Sequence, residues 1–325
     1  MAIFQKRKRA EHRFEHVGAL QSPPGFDELI TVSAGPSGSV ALWADATARS
    51  DIEAHFESLG SASFPETRTS SRPQVALCAY RSASMAPAHA VVLEELPIAH
   101  PLIQELPNGD FLVVGARCAW RPEGPERNAL IVGHDGAVVH EGTLGDGIEH
   151  MLVDDSGGIW VGYFDEGIFG NFGWGSPGPE PLGSAGIVRW SPMFEKLWEY
   201  EAIDDYWLAD CYALNVDSDR VWACPYTDFS ILEIASDQAT ARATTDVSGP
   251  RALLIAGEKV ALMGDYKFGG SLLLGNLDNL SRLKKSEIGI PDGRRMPPGT
   301  LVCRGSVAHF FVDADWFTFD LARAI

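Results

Sequence analysis

Carboxylates, imidazoles and a guanidinium recur at positions far apart in the chain but alike in context, each where an apolar run begins. They are Asp27 and Glu28, His100, Glu149 and His150, Asp210 and Cys211, and Arg251. If those runs lie side by side, the polar groups converge. Converging oxygen and nitrogen donors suit a divalent cation such as Ca²⁺, Mg²⁺ or Zn²⁺, with Glu28, Glu149 and Asp210 as the candidate ligands. They also suit acid–base chemistry where burial drives their pKa values apart. Glu149, His150, Asp210 and Asp165 are then the candidate catalytic groups. The plainer alternative is a polar, water-filled channel lined by satisfied side chains.

A second concentration of chemistry is the segment 163–181, which sets Tyr163, Phe164, Phe169, Phe172 and Trp174 among glycines, with Asp165, Glu166 and Asn171 beside them. Glycine lets backbone approach a ligand closely, and aromatic rings supply stacking area at low entropic cost. The segment reads as a binding wall, or as a loop closed on its own aromatic cluster. A third set follows other apolar runs: Asp165 and Glu166, Tyr226 and Asp228, Asp265, Tyr266 and Lys267, Asp313 and Asp315. Aspartates at such corners often tie up turn amides. Tyr226, Asp228, Tyr266 and Arg251 remain candidate pocket walls.

The elements that must position these groups are short strands. Apolar runs flank tight polar turns at Pro36-Ser-Gly38, Pro107-Asn-Gly109, Asp154-Asp-Ser-Gly157, Asp217-Ser-Asp219, Gly257-Glu-Lys259 and Arg304-Gly305. Helical periodicity is confined to 51–59. The spacing predicts six four-stranded antiparallel units, approximately 26–99, 100–146, 147–203, 204–247, 248–290, and 298–325 completed by 11–18. Joining both termini in one sheet removes an exposed edge. The expected architecture is all-β, a six-bladed β-propeller forming a single domain over 1–325. Long connections at 45–74, 117–128 and 164–185 follow second strands, so function is expected on that face, over the channel mouth.

Composition narrows the partners. The formal net charge is −18, from 44 acidic and 26 basic residues, which repels nucleic acid and anionic membranes. The basic run Lys6-Arg-Lys-Arg9 reads as a solvated tail. Five widely spaced cysteines without a Cys-x-x-Cys pair argue against disulfides or structural zinc. Neither a secretory h-region nor a membrane-length apolar run is visible, so the cytoplasm is the expected compartment. No zincin, nucleophile-elbow, P-loop or Rossmann motif occurs.

Leu152-Val-Asp-Asp-Ser-Gly-Gly-Ile-Trp-Val-Gly162 resembles the repeat of regulator-type propellers, in which an Asp, a Gly turn and an Ile-Trp-Val-Gly strand mark each blade. The likeness is good in that unit and fades to bare hydrophobicity elsewhere. It implies a fold and a strand register and carries no catalytic residue. The rest, including Tyr163-Phe-Asp-Glu-Gly-Ile-Phe-Gly-Asn-Phe-Gly-Trp-Gly175, is similar to uncharacterised bacterial propeller-like proteins. Three functions follow as expectations. The first is binding of a small polar, cationic or glycan-like ligand, or a protein segment, at the mouth. The second is a metal-dependent hydrolase or lyase, lactonase-like by fold analogy alone. The third is a protein-interaction scaffold.

Overall fold

A computed structural model describes residues 10–324, apart from 59, 61, 82–83, 204–206, 219, 245 and 267–268. The basic run 6–9, Leu59, Asp219 and Lys267 lie outside the described residues. The protein is nearly all β. Sheet A holds Glu28–Gly35, Gly38–Ala44, Val75–Arg81 and Ser84–Leu93. Sheet B holds Pro101–Glu105, Phe111–Gly115, Ala129–Val132 and Val138–Gly142. Sheet C holds Ile148–Val153, Ile159–Tyr163, Ile187–Trp190 and Lys196–Glu199. Sheet D holds Asp210–Val216, Arg220–Tyr226, Ile231–Ala235 and Gln238–Arg242. Sheet E holds Ala252–Ala256, Lys259–Met263, Ser271–Asn276 and Lys284–Gly289. Sheet F holds Thr300–Arg304, Val307–Val312 and Asp315–Asp320, and Glu15–Ala19 pairs antiparallel beside its last strand.

These sheets are antiparallel meanders in chain order. Their first strands pack side by side from A through F, and the first strand of F returns to the first strand of A. That cyclic order is a propeller. It explains why second strands such as Phe111–Gly115 are buried at every position: each is covered by a neighbouring sheet on both faces. Six apolar clusters lie one between each adjacent pair of sheets. The N-terminal strand does more than complete sheet F. His12–Arg13 pairs parallel with Lys284–Gly289 of sheet E, and Phe14 is buried between the two sheets.

Strand hydrogen bonds do not close the ring. The first strands of D and F share one bridging pair, Asn215 with Cys303. Three polar side chains on first strands tie the sheets instead. Gln104 of sheet B donates to Ser33 Oγ (2.6 Å) and Ala34 O (3.2 Å) of sheet A. Asn215 of sheet D donates to Leu253 O (2.7 Å) and Gly305 O (2.8 Å), and accepts from Gly305 N (2.7 Å). Arg304 of sheet F donates to Ala34 O (2.9 Å), Gln104 Oε1 (3.1 Å) and Val153 O (2.7 Å), spanning the channel at the tight-turn end.

The turn that carries the sequence resemblance has a physical explanation. Asp154 Oδ1 accepts from Ser156 N (2.9 Å) and Gly158 N (2.8 Å), while Oδ2 accepts from Trp160 Nε1 (2.9 Å) and Arg189 Nη2 (2.7 Å). One carboxylate therefore closes the turn and locks the following strand. The helix expected at 51–59 is one turn, Arg49–Ile52. Asp51 is drawn off by Ser70 and Ser71, and the chain continues as a hairpin, His55–Glu57 with Ser63–Pro65.

Candidate functional site

The start of each first strand lies beside the end of the second, so the long connections gather at one end of the channel. Three first strands carry a register shift there: between Leu29 and Thr31, between Ile148 and His150, and between Cys211 and Ala213. A bulge adds one unpaired residue and turns its side chain out of the ladder. In sheets C and D the added residues are Glu149 and Tyr212, and both line a cavity of about 700 Å³. Its mouth also carries His150, Phe164, Asp210 and Arg251, and its walls are apolar residues such as Val32, Leu102, Leu152 and Leu301.

Glu149, Asp210 and Arg251 have no hydrogen-bond or ion-pair partner among the described residues. Burial, followed by the charges of Glu149 and Asp165, raises the Asp210 carboxyl to about 7. His150 stands against the backbone of Cys211 and Tyr212; burial lowers its pKa, partly opposed by Glu149. Among the described residues its buried Nε2 has no hydrogen-bond partner. Tyr212 is ringed by Tyr226 and Tyr266 at 5.9 Å each and by Phe229 at 5.3 Å. The Tyr266 hydroxyl donates to that of Tyr212 at 3.3 Å.

The connection after Tyr163 begins with a short helix, Asp165–Phe169. It lies on Gly147, whose φ of +68° favours glycine, and where a Cβ would meet Gly167 N at 2.3 Å. Arg117 pins this segment. It makes a two-pronged ion pair with buried Asp146 (2.9 Å for both bonds), donates to Glu166 (2.5 Å), and stands over Phe172 (4.4 Å) and Phe164 (5.3 Å).

Several residues expected at the site therefore do other work. Tyr163 is fully buried, its hydroxyl donating to Leu144 O at 2.5 Å, so it is core and not a ligand wall. Trp174 is buried too; its Nε1 donates to Cys118 O (2.8 Å) and its ring packs on Trp120 (5.4 Å). Glu166 and Phe172 belong to the Arg117 cluster, and Asn171 Oδ1 accepts from Phe172 N. Asp228 accepts from Ser230 N and Oγ as a turn residue. Asp165 Oδ1 accepts from Glu166 N at the start of the helix, while its charge reaches Asp210. The segment is thus closed on its own aromatic cluster, and only Phe164 turns into the cavity.

The ligand set Glu28–Glu149–Asp210 is not formed. Arg49 holds Glu28 at 2.5 Å, and among the described residues no three His, Cys, Asp or Glu side chains gather around one point. His100 is a turn residue, with φ +47° and its Nε2 within 3.0 Å of Ala54 O. Cys211 is buried. Sequence reasoning missed Tyr212 and Arg117. The signal for Tyr212 was its place two residues after Asp210 in a strand start.

By sequence, no protein family and no curated protein matches the chain. Solved structures with a similar course include Hsv2 of Kluyveromyces lactis, at 8% identity over 90% of this chain and 73% of that chain, TM-score 0.46. The Pan2 WD40 domain of Neurospora crassa is 11% identical over 96% of both chains, TM-score 0.47. BamB of Moraxella catarrhalis is 10% identical over 94% of this chain and 99% of that one, TM-score 0.41. The fold itself is given by the strand pairing and the packing of the first strands. No helix among the described residues is long and apolar enough to cross a membrane.

Proposed function

We propose that this chain is a six-bladed β-propeller, folded as one domain, that binds a small polar ligand at the long-loop end of its channel. The observation that carries the reading is the pair of bulges that turn Glu149 and Tyr212 into the cavity beside Asp210, which has no hydrogen-bond or ion-pair partner among the described residues. Asp210 is half-buried with its carboxyl pushed up, and such a group in a cavity marks a candidate ligand site, while Glu149 beside it is exposed and open to an incoming ligand. The opposite end is spanned by Arg304, so a ligand enters and leaves by the mouth. Of the groups in the hydrolase reading, Glu28 is held by Arg49, which takes it out of the candidate metal set.

The test is thermal stabilisation by a library of small polar compounds, comparing the native protein with Glu149→Ala/Asp210→Ala. Compounds that raise the melting temperature of the native protein and not of the double variant support the reading. Stabilisation retained in the variant, or absent throughout the library, rejects it.

A further inference from the structure

The polar groups at the mouth are divided by sign. Glu149 from sheet C and Asp210 from sheet D are neighbours, and the charges that act on Asp210, those of Glu149 and Asp165, are both negative. Arg251 stands on the next sheet. Beside the carboxylates lies the block of phenol rings around Tyr212, with Tyr226 and Tyr266 on its exposed side, and Phe164 faces the same cavity. Aromatic faces carry negative potential and attract cations. An anion meets repulsion on the carboxylate side, next to the aromatic rings, and a counter-charge at Arg251 on the next sheet. A neutral polyol donates hydrogen bonds to the two carboxylates but leaves their negative charge uncompensated. For a divalent metal, no third His, Cys, Asp or Glu joins the two carboxylates among the described residues.

We propose that the mouth is a receptor for an organic ammonium ion, its nitrogen held between Glu149 and Asp210 and its carbon skeleton lying on Tyr212 and Phe164. The proposal rests on the preceding reading of the mouth as a ligand site and names the class of ligand. It also makes binding proton-linked. The groups facing Asp210 are Glu149 and His150 from sheet C, Asp165 from the short helix, Cys211 and Tyr212 from its own strand, and Arg251 from the rim. With the Asp210 carboxyl raised to about 7, an incoming cation expels its proton, so affinity rises from pH 6 to pH 8.

Benzylamine, benzyl alcohol and benzoate share one ring and differ in charge, and calorimetric titration of each into the full chain tests the proposal. Benzylamine is expected to bind at pH 8 at least about tenfold more tightly than benzyl alcohol, or about 1.4 kcal/mol. Benzoate should not bind. Benzylamine affinity should fall about tenfold between pH 8 and pH 6. Glu149→Gln and Glu149→Gln/Asp210→Asn preserve side-chain shape, and their unliganded melting curves report folding. Each should reduce benzylamine towards the benzyl alcohol level. Benzyl alcohol or benzoate binding as tightly as benzylamine, and weakened by Tyr212→Ala, overturns the ammonium assignment while leaving the mouth as a binding site. No binding by any of the three at 10 mM overturns the ammonium assignment, and the reading of the mouth as a ligand site falls with it only where the polar library also gives no stabilisation.

Discussion

Replacing Arg304 by Met removes the guanidinium that ties sheet F to sheets A, B and C while keeping most of the aliphatic packing. Three hydrogen bonds are lost, to Ala34 O, Gln104 Oε1 and Val153 O. Bonds from a charged donor contribute about 1.5 kcal/mol each at the low end of their range. Against this, burial already disfavours the charged form and lowers the Arg304 pKa to about 10, with Asp155, Asp154 and Asp217 opposing the shift. Relief of that desolvation leaves a net loss of about 2–4 kcal/mol. Unfolding entropy of about 2.1 cal/mol/K per residue amounts to about 0.7 kcal/mol/K over this chain, so the melting temperature should fall by about 3–6 °C. Differential scanning calorimetry reads this directly. A double-mutant cycle with Gln104→Leu should return a coupling of about 1 kcal/mol, because the two side chains share a hydrogen bond. A melting temperature within about 1 °C of wild type, with additive effects in the cycle, would refute the idea that these side chains hold the ring.

Three further outcomes follow from the same structure. Asp210→Asn should gain in melting temperature over wild type as pH rises from about 4 to 7, then hold a constant advantage. The reason is that the native carboxyl stays protonated up to about 7 while the unfolded one, at its ordinary value, has already ionised, so wild-type stability falls across that window. Arg117→Met leaves Asp146 buried without its two-pronged partner and should cost about 3–5 kcal/mol by urea denaturation. The same variant should speed hydrogen exchange in 164–185, which the guanidinium pins. Phe14→Ala empties the space between sheets E and F and should cost about 3–5 kcal/mol, lowering the urea midpoint at unchanged m-value.

Most strands were legible in the sequence because each hairpin advertises itself twice, as an apolar run and as a turn. Asp154-Asp-Ser-Gly is the clearest case, since the carboxylate, turn amides and Trp160 indole form one local network. Positions of the bulges were not legible. A bulge is a one-residue slip between two strands, and nothing in Ile148-Glu-His or Cys211-Tyr-Ala shows which residue is left over. The clasps Gln104 and Asn215 did leave a trace, as amides inside otherwise apolar strands, but their partners lie on other sheets. For 163–181 the sequence leaves two readings open, a binding wall or a loop closed on its own aromatics, and burial of Tyr163 and Trp174 favours the second. Aromatic composition does not say whether an indole or phenol faces solvent, and Trp174 and Tyr163 both found backbone carbonyls inside the protein. Glu28 reads as a free carboxylate in the sequence because its cation, Arg49, lies 21 residues on, past the second strand, where strand patterning shows no pairing.

The most direct test of the mouth as a cation receptor is the crystal structure of the protein with 4-bromobenzylamine, read by the anomalous signal of bromine. The account predicts one strong peak over Tyr212 and Phe164, with the amine density directed at Glu149 and Asp210. A peak beside Arg304 at the tight-turn end, or an empty mouth at saturating ligand, would contradict it.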